Sequence, residues 1–315
     1  MKQLTIILIY TILTGGNISA QRDSLKSKPS TNKFIRLIYE NDFFTQTDEY
    51  YTQGIKLESV NPSFKYSPFM WLLPNLKHSS IQYGLNAAQD CYTPTSITRD
   101  SVLKGDRPYA GYVYLGHYKI SSDYYKKQML TSEFDLGEIG SCAKCKEEQE
   151  AIHRATNNAQ PDGWQYQIGT SLFLDYKLRY EKALLSDTSI DIIAIGQINA
   201  GTVYNNALVG ITLHLGKMKS YFLVNHTSVF QLYSTVKAWA EVVGYDGTME
   251  GALFTHNSIN TLGAKEMNRI VYGDSYGLCL SGRKMSAEYS VTLITNEIIT
   301  GTYHGWGHIA LTYYF

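Results

Sequence analysis

The chain reads as a succession of two-residue alternations. Ile35, Leu37 and Tyr39 alternate with Arg36, Ile38 and Glu40; Tyr51, Ile55 and Leu57 alternate with Thr52, Lys56 and Glu58. Ile81, Tyr83 and Leu85 alternate with Gln82, Gly84 and Asn86, and late in the chain Met285, Ala287 and Tyr289 contrast with Ser286, Glu288 and Ser290. A period of two places one residue set on each face of a β-strand. Such runs predict about twelve strands, each near the ten residues or so that a tilted membrane-spanning strand needs. The predicted spans are 33–42, 50–60, 80–91, 108–119, 128–138, 165–181, 189–203, 206–216, 234–246, 268–281, 284–297 and 302–315. Turn-forming joints such as Tyr204-Asn205-Asn206 separate them. One segment departs from the pattern. Cys142 to Asn158 is rich in Glu, Lys, Gln and Ala, without Gly or Pro, and Pro161-Asp162-Gly163 follows as a stop. That composition predicts a short helix in the loop after the fifth strand.

An alternating apolar face needs an apolar surround. Only 18% of residues are charged while Tyr occurs 26 times, and the formal net charge is zero. Low charge with many Tyr fits a wall that meets lipid and rims at the water interface. No basic block is present, which excludes the clustered positive footprint of a nucleic-acid binder. After Gln21 no stretch of apolar residues is long enough for a transmembrane helix. A closed barrel is the other structure that satisfies its backbone within lipid. The predicted fold class is therefore all-β: one antiparallel transmembrane β-barrel with a short helix in an extracellular loop. An even strand number brings both barrel ends to the periplasmic side. Ile309, Leu311, Tyr313 and Phe315 alternate to an aromatic end, as in barrels whose last strand is read during outer-membrane assembly. Lys2, the largely apolar run Leu4 to Leu13 and Ile18-Ser19-Ala20 before Gln21 form the three-part pattern of a signal peptide. The expected division is a signal peptide at 1–20 and an outer-membrane barrel at 21–315.

Four Cys complete the inventory. Cys142 and Cys145 form a lone C-x2-C, without the second pair or His ligands that zinc wants. They read as a small local disulfide or as loop thiols; Cys91 and Cys279, in strand-like runs, read as packing residues.

The chemistry-bearing residues come in an ordered set. Tyr39-Glu40-Asn41-Asp42-Phe43-Phe44 precedes Thr47-Asp48-Glu49-Tyr50-Tyr51-Thr52-Gln53-Gly54. Gln89-Asp90-Cys91-Tyr92-Thr93-Pro94 and Lys104-Gly105-Asp106-Arg107-Pro108-Tyr109-Ala110-Gly111-Tyr112 follow. Gln149-Glu150-Ala151-Ile152-His153 then precedes Gly163-Trp164-Gln165-Tyr166-Gln167. This order and spacing resembles the lipid A 3′-O-deacylase (LpxR) family, over the first half of the chain. The resemblance implies a twelve-stranded barrel with an external helix over the active site. It implies hydrolysis of the ester-linked 3′-acyl chains of lipid A, with calcium (Ca2+) holding the oxyanion and a histidine activating water. Lipopolysaccharide and outer-membrane lipids become the expected partners, with nucleic acid excluded and a monomer plausible.

The residues themselves suit that chemistry. Asn41 and Asp42 offer hard oxygen donors at the outer end of the first strand, as calcium requires, although Asn-Asp also starts turns. Thr52 matches the family's active-site threonine in Tyr-Thr-x-Gly; a β-branched residue in a strand is its plain alternative. His153 is the expected general base, since imidazole titrates near neutrality. Glu150, three residues earlier, shares its helix face and is expected to orient the ring. Arg99, Lys104 and Arg107 are expected to hold lipid A phosphates, with an ion pair to Asp106 or a lumen carboxylate as the alternative for Arg107. Family members can carry a glutamate six residues after the histidine, where this chain has Ala159. That departure keeps open an inactive, structural or pore-forming barrel, and a calcium-dependent phospholipase. No H-E-x-x-H or P-loop motif is present.

Overall fold

A computed structural model describes residues 28–45, 49–223, 229–254 and 258–315; the expected signal peptide lies outside them. Twelve strands form the barrel: β2 (Phe34–Asn41), β3 (Tyr50–Val60), β4 (Ser80–Thr93), β5 (Ala110–Asp123), β6 (Gln128–Ile139), β7 (Ser171–Ser186), β8 (Ile190–Gly201), β9 (Tyr204–Lys217), β10 (Gln231–Asp246), β11 (Ile270–Ser281), β12 (Met285–Ile294) and β13 (His304–Tyr314). A two-residue strand, β1 (Lys28–Pro29), lies parallel to the start of β4. Each barrel strand pairs antiparallel with the next, and β13 returns to β2, with Tyr314 opposite Phe34 and Gly307 opposite Asn41. The ladder thus has no free edge within lipid.

The predicted sixth strand, 165–181, is β7 and starts later than expected, at Ser171. Gly163, at φ +136, turns the chain into a 3-10 turn at Trp164–Tyr166 before the strand can begin. That backbone conformation is one that glycine adopts without cost.

The alternation sorts side chains as expected. Leu37, Leu57, Leu115, Val209, Leu278 and Leu311 are exposed on the outer wall. Charges face the lumen and pair there. Glu133 accepts from Asn86 at 2.6 Å and meets Lys56 at 3.4 Å and Lys177 at 3.5 Å; Arg36 lies 3.4 Å from Glu58. Toward the outer end the lumen fills with rings: Tyr51, Tyr92, Tyr112, Tyr114 and Phe173, the last two stacked with centroids 5.1 Å apart. Below this plug lies a cavity of about 1050 Å³ lined by the charged residues.

The β3–β4 connection at the periplasmic end is a long one, contrary to the short turns usual there. It folds back along the outside of the barrel. Lys119 of β5 is an outward position, in step with the exposed Val113 and Leu115, yet it is buried. Its Nζ donates to the carbonyls of Leu73 at 2.7 Å and Met70 at 3.1 Å. Ser132 of β6 donates to Pro74, Tyr176 of β7 to Leu72, and Phe69 packs on His117 and Phe134. This strap explains why polar side chains sit on a lipid-side wall. Lys119→Leu should leave the Leu73 carbonyl without its donor and the Met70 carbonyl with only the Leu73 amide, at a cost of about 1–3 kcal/mol. The expected result is faster proteolysis between 61 and 79 with unchanged heat-modifiable migration of the barrel; equal proteolysis of variant and wild type would contradict the assignment.

Candidate active site

Helix α1 (Cys145–Thr156) is made of good helix formers and closes on Asn157 in the left-handed conformation. Its buried residues are Cys145, Gln149 and His153, spaced four apart, so they form one stripe. The stripe is polar. Ile152 is exposed, so apolar burial contributes little to holding this helix.

A covalent link replaces that missing burial. Cys145 is bonded to Cys91 of β4, with their Cα atoms 5.7 Å apart. This corrects both expectations for the cysteines: Cys91 is not merely a packing residue, and Cys142 is free rather than joined to Cys145. The reason is the strand's alternation. Asp90 points into the lumen, where it accepts hydrogen bonds from Tyr51 and Tyr112, so Cys91 points out. The loop after β6 crosses that outer face. Cys145 and Ala143 press on Gly111 of β5, where a Cβ would lie 2.4 Å from the Cys145 sulfur. Gln89 donates to the Ala143 carbonyl at 2.6 Å. Burial and neighbouring Glu138 push the Cys142 thiol up to about 11, which keeps it protonated and a poor attacker of the disulfide. Cys279 is buried in β11, as expected of a packing residue.

Helix α1 therefore lies on the lipid-side wall. His153 is 7% exposed, and its Nδ1 lies 2.5 Å from the carbonyl oxygen of Ala159. A carbonyl only accepts, so Nδ1 carries the proton and Nε2 of the neutral ring keeps its lone pair. Glu150 is not the orienting partner that helical spacing suggested. It faces Arg154 at 3.6 Å and Lys146 at 3.9 Å on the outer side of α1. Three residues turn a helix only part of a revolution, and four return it to the stripe. The stripe residue missed from sequence is Gln149, whose Oε1 accepts from the Trp164 indole at 2.8 Å. Its Nε2 is buried without a partner among the described residues. The i, i+4 spacing to His153 was the available signal.

Next to Cys91 the β3–β4 pairing is irregular. Tyr51 pairs with Tyr92 and Gln53 with Cys91, so Thr52 is an extra, bulged residue. Thr52 is buried and shares a hydrogen bond of 2.7 Å with Thr93. The bulge breaks the alternation that had seemed to group Thr52 with Lys56 and Glu58; those two belong to the lumen network. Asn41 and Asp42 end β2 in a turn. Asn41 accepts the Phe43 amide at 2.8 Å, and buried Asp42 accepts the Glu49 amide at 2.9 Å. Asp48 lies outside the described residues. Among the described residues no three His, Cys, Asp or Glu side chains converge as a metal cluster. The donors that are present, one carboxylate, one side-chain amide and adjoining carbonyls, are hard oxygens of the kind calcium takes.

The three basic residues part company. Arg99 and Lys104 are exposed on the loop between β4 and β5. Arg107 is 2% exposed and does not reach the surface as a phosphate ligand would. It meets Glu297 at 2.5 Å, donates to Thr248 at 2.9 Å and lies 4.3 Å above the Tyr92 ring. Burial disfavours its charge, but the Glu297 carboxylate overrides this and raises its pKa above the ordinary value. Asp106, the other expected partner, instead accepts from Thr95 and from the Arg107 amide.

A family profile described as "Outer membrane protein LpxR" matches residues 4–315. Among solved structures, LpxR from Salmonella typhimurium is similar at 18% identity, with 90% of this chain and all of that one covered and a TM-score of 0.71. The β domain of the Bordetella autotransporter Brka is 8% identical over 90% of this chain and 98% of its own, at a TM-score of 0.46. No curated protein matches.

A disulfide closing a loop of this length typically contributes about 2–4 kcal/mol. Replacing both Cys91 and Cys145 by Ser should release α1 while the barrel stays folded. Hydrogen exchange should then accelerate at amides 145–156 and stay slow in β4 and β5; unchanged protection of the helix would show that the link is dispensable.

Proposed function

The chain belongs to the LpxR family of outer membrane proteins, and on that premise we propose that it removes the ester-linked 3′-acyl chains of lipid A where α1 meets the outer wall. The observation that supports this reading is His153, buried in the stripe of α1 with Nδ1 held by the Ala159 carbonyl; its Nε2 is the proposed base. The position suits the substrate. Lipid A resides in the outer leaflet, and α1 lies on the lipid-side wall near the outer rim, so an acyl chain reaches the site sideways without leaving the membrane.

His153 Nε2 takes a proton from a water molecule, and the hydroxide adds to the ester carbonyl. When the tetrahedral intermediate collapses, the imidazolium returns that proton to the sugar oxygen, releasing a fatty acid and a free hydroxyl. The Thr52 hydroxyl, set on the wall by its bulge and by Thr93, holds the water in line. Asn41 and Asp42 are the residues that would hold calcium. When bound, the ion supplies a positive centre for the oxyanion. Arg99 and Lys104, exposed at the rim, meet the lipid A phosphates. The Ala159 departure costs a carboxylate, but the main chain at that position serves His153 directly. The aromatic plug in the lumen opposes the alternative of a pore.

Mass spectrometry of lipid A after incubation with the protein tests the reading. Wild type with calcium should remove the mass of the 3′-linked acyl chains, and a chelator should abolish this. His153→Ala should slow the reaction by about 10²–10⁴-fold. Intact lipid A in every arm would refute the proposal, and fatty acid released from phospholipid instead would reassign the substrate.

A further inference from the structure

The strap between β3 and β4 holds itself to the barrel with one set of side chains and presents another. Residues 61–79 bury Met70 and Leu73 against the wall, while Trp71 is 81% exposed and Tyr66 79% exposed. The segment contains Lys65 and Lys77 and no acidic residue. Lys65 Nζ lies 4.6 Å above the Tyr66 ring.

The neighbouring turn repeats the chemistry. Residues 124–127, between β5 and β6, read Tyr-Tyr-Lys-Lys. Tyr125 is 84% exposed, and Lys127 Nζ sits 4.0 Å above the Tyr124 ring. Strap and turn are neighbours, because Ser79 and Leu76 both hydrogen-bond Ser121, near the end of β5. The adjoining acid, Asp123, is buried and its carboxylate accepts the Lys126 amide at 3.0 Å. On a chain with zero formal net charge, this sector concentrates cations and exposed rings at the periplasmic end of the apolar wall.

We propose that the strap and the β5–β6 turn form a docking surface for anionic phospholipids of the periplasmic leaflet. Aromatic rings at the end of an apolar wall sit at headgroup depth, with their faces toward chains and their polar edges toward water. The ammonium groups of Lys65 and Lys127 lie over their neighbouring rings, that of Lys127 also donating to Ser220, and Lys77 and Lys126 are exposed beside them, which sets four cations at headgroup depth for the phosphates. The surface is continuous with the wall already in lipid, which favours a lipid over a soluble acidic partner. A buried apolar edge fixes the strap to the barrel, so the cations stand at a constant depth. The protein would then be held at both leaflets by phosphate chemistry, with lipid A at the outer rim and phospholipid at the inner.

Electron spin resonance of the full-length barrel in phosphatidylcholine bilayers, with trace spin-labelled lipids, tests this. Spin-labelled phosphatidylglycerol should associate severalfold more strongly than spin-labelled phosphatidylcholine. The quadruple variant Lys65→Gln, Lys77→Gln, Lys126→Gln and Lys127→Gln should lose that preference and keep its heat-modifiable migration. Should the variant fail to fold, molar salt on wild type gives the same reading, because it shortens screening to about 3 Å and should erase the preference. Equal association of the two lipids with wild type, or a preference that survives substitution or salt, would overturn the proposal. Displacement by inorganic phosphate at matched ionic strength would assign the cations to a small-anion pocket and overturn it as well.

Discussion

The lipid bilayer supplies no hydrogen-bond partners, and everything in this molecule follows from meeting that constraint by closing the ladder. Once β13 returns to β2, each strand has two neighbours and two unlike faces. Outward positions become apolar. Inward positions can carry charge, since the lumen offers water and opposite charges. Glu133 between Lys56 and Lys177, and Glu58 between Lys56 and Arg36, are the result. On the outer wall the strap covers the polar groups of Lys119, Ser132 and Tyr176.

The same closed wall serves as a work surface. A short helix with a polar buried stripe has no hydrophobic reason to lie on a barrel. The Cys91–Cys145 link provides one, and it does so at the rim where β4 turns its odd-numbered side chains outward. The same rim carries the bulge at Thr52 and the turn at Asn41-Asp42. A bulge costs a ladder its regularity, and barrels place such irregularities at rims and functional sites. The interior takes the opposite course: its rings and Arg107, locked to Glu297 and Thr248, fill the outer mouth.

The sequence by itself determined the barrel. Period-two alternation, scarce charge, abundant Tyr and the final aromatic strand all report on a face that meets lipid, and they are local properties of the chain. The helix of the fifth loop and the ordered motifs were legible for the same reason. Contacts between distant segments were not. No local pattern says that Cys91 pairs with Cys145 across 54 positions, that Arg107 meets Glu297, or that the strap lies on the wall. Nor does spacing say whether Glu150 or Ala159 holds His153, because a helix face is defined only by what it is packed against. Those choices belong to the tertiary structure: alternation decides which way each side chain points, and only the closed barrel decides what it finds there.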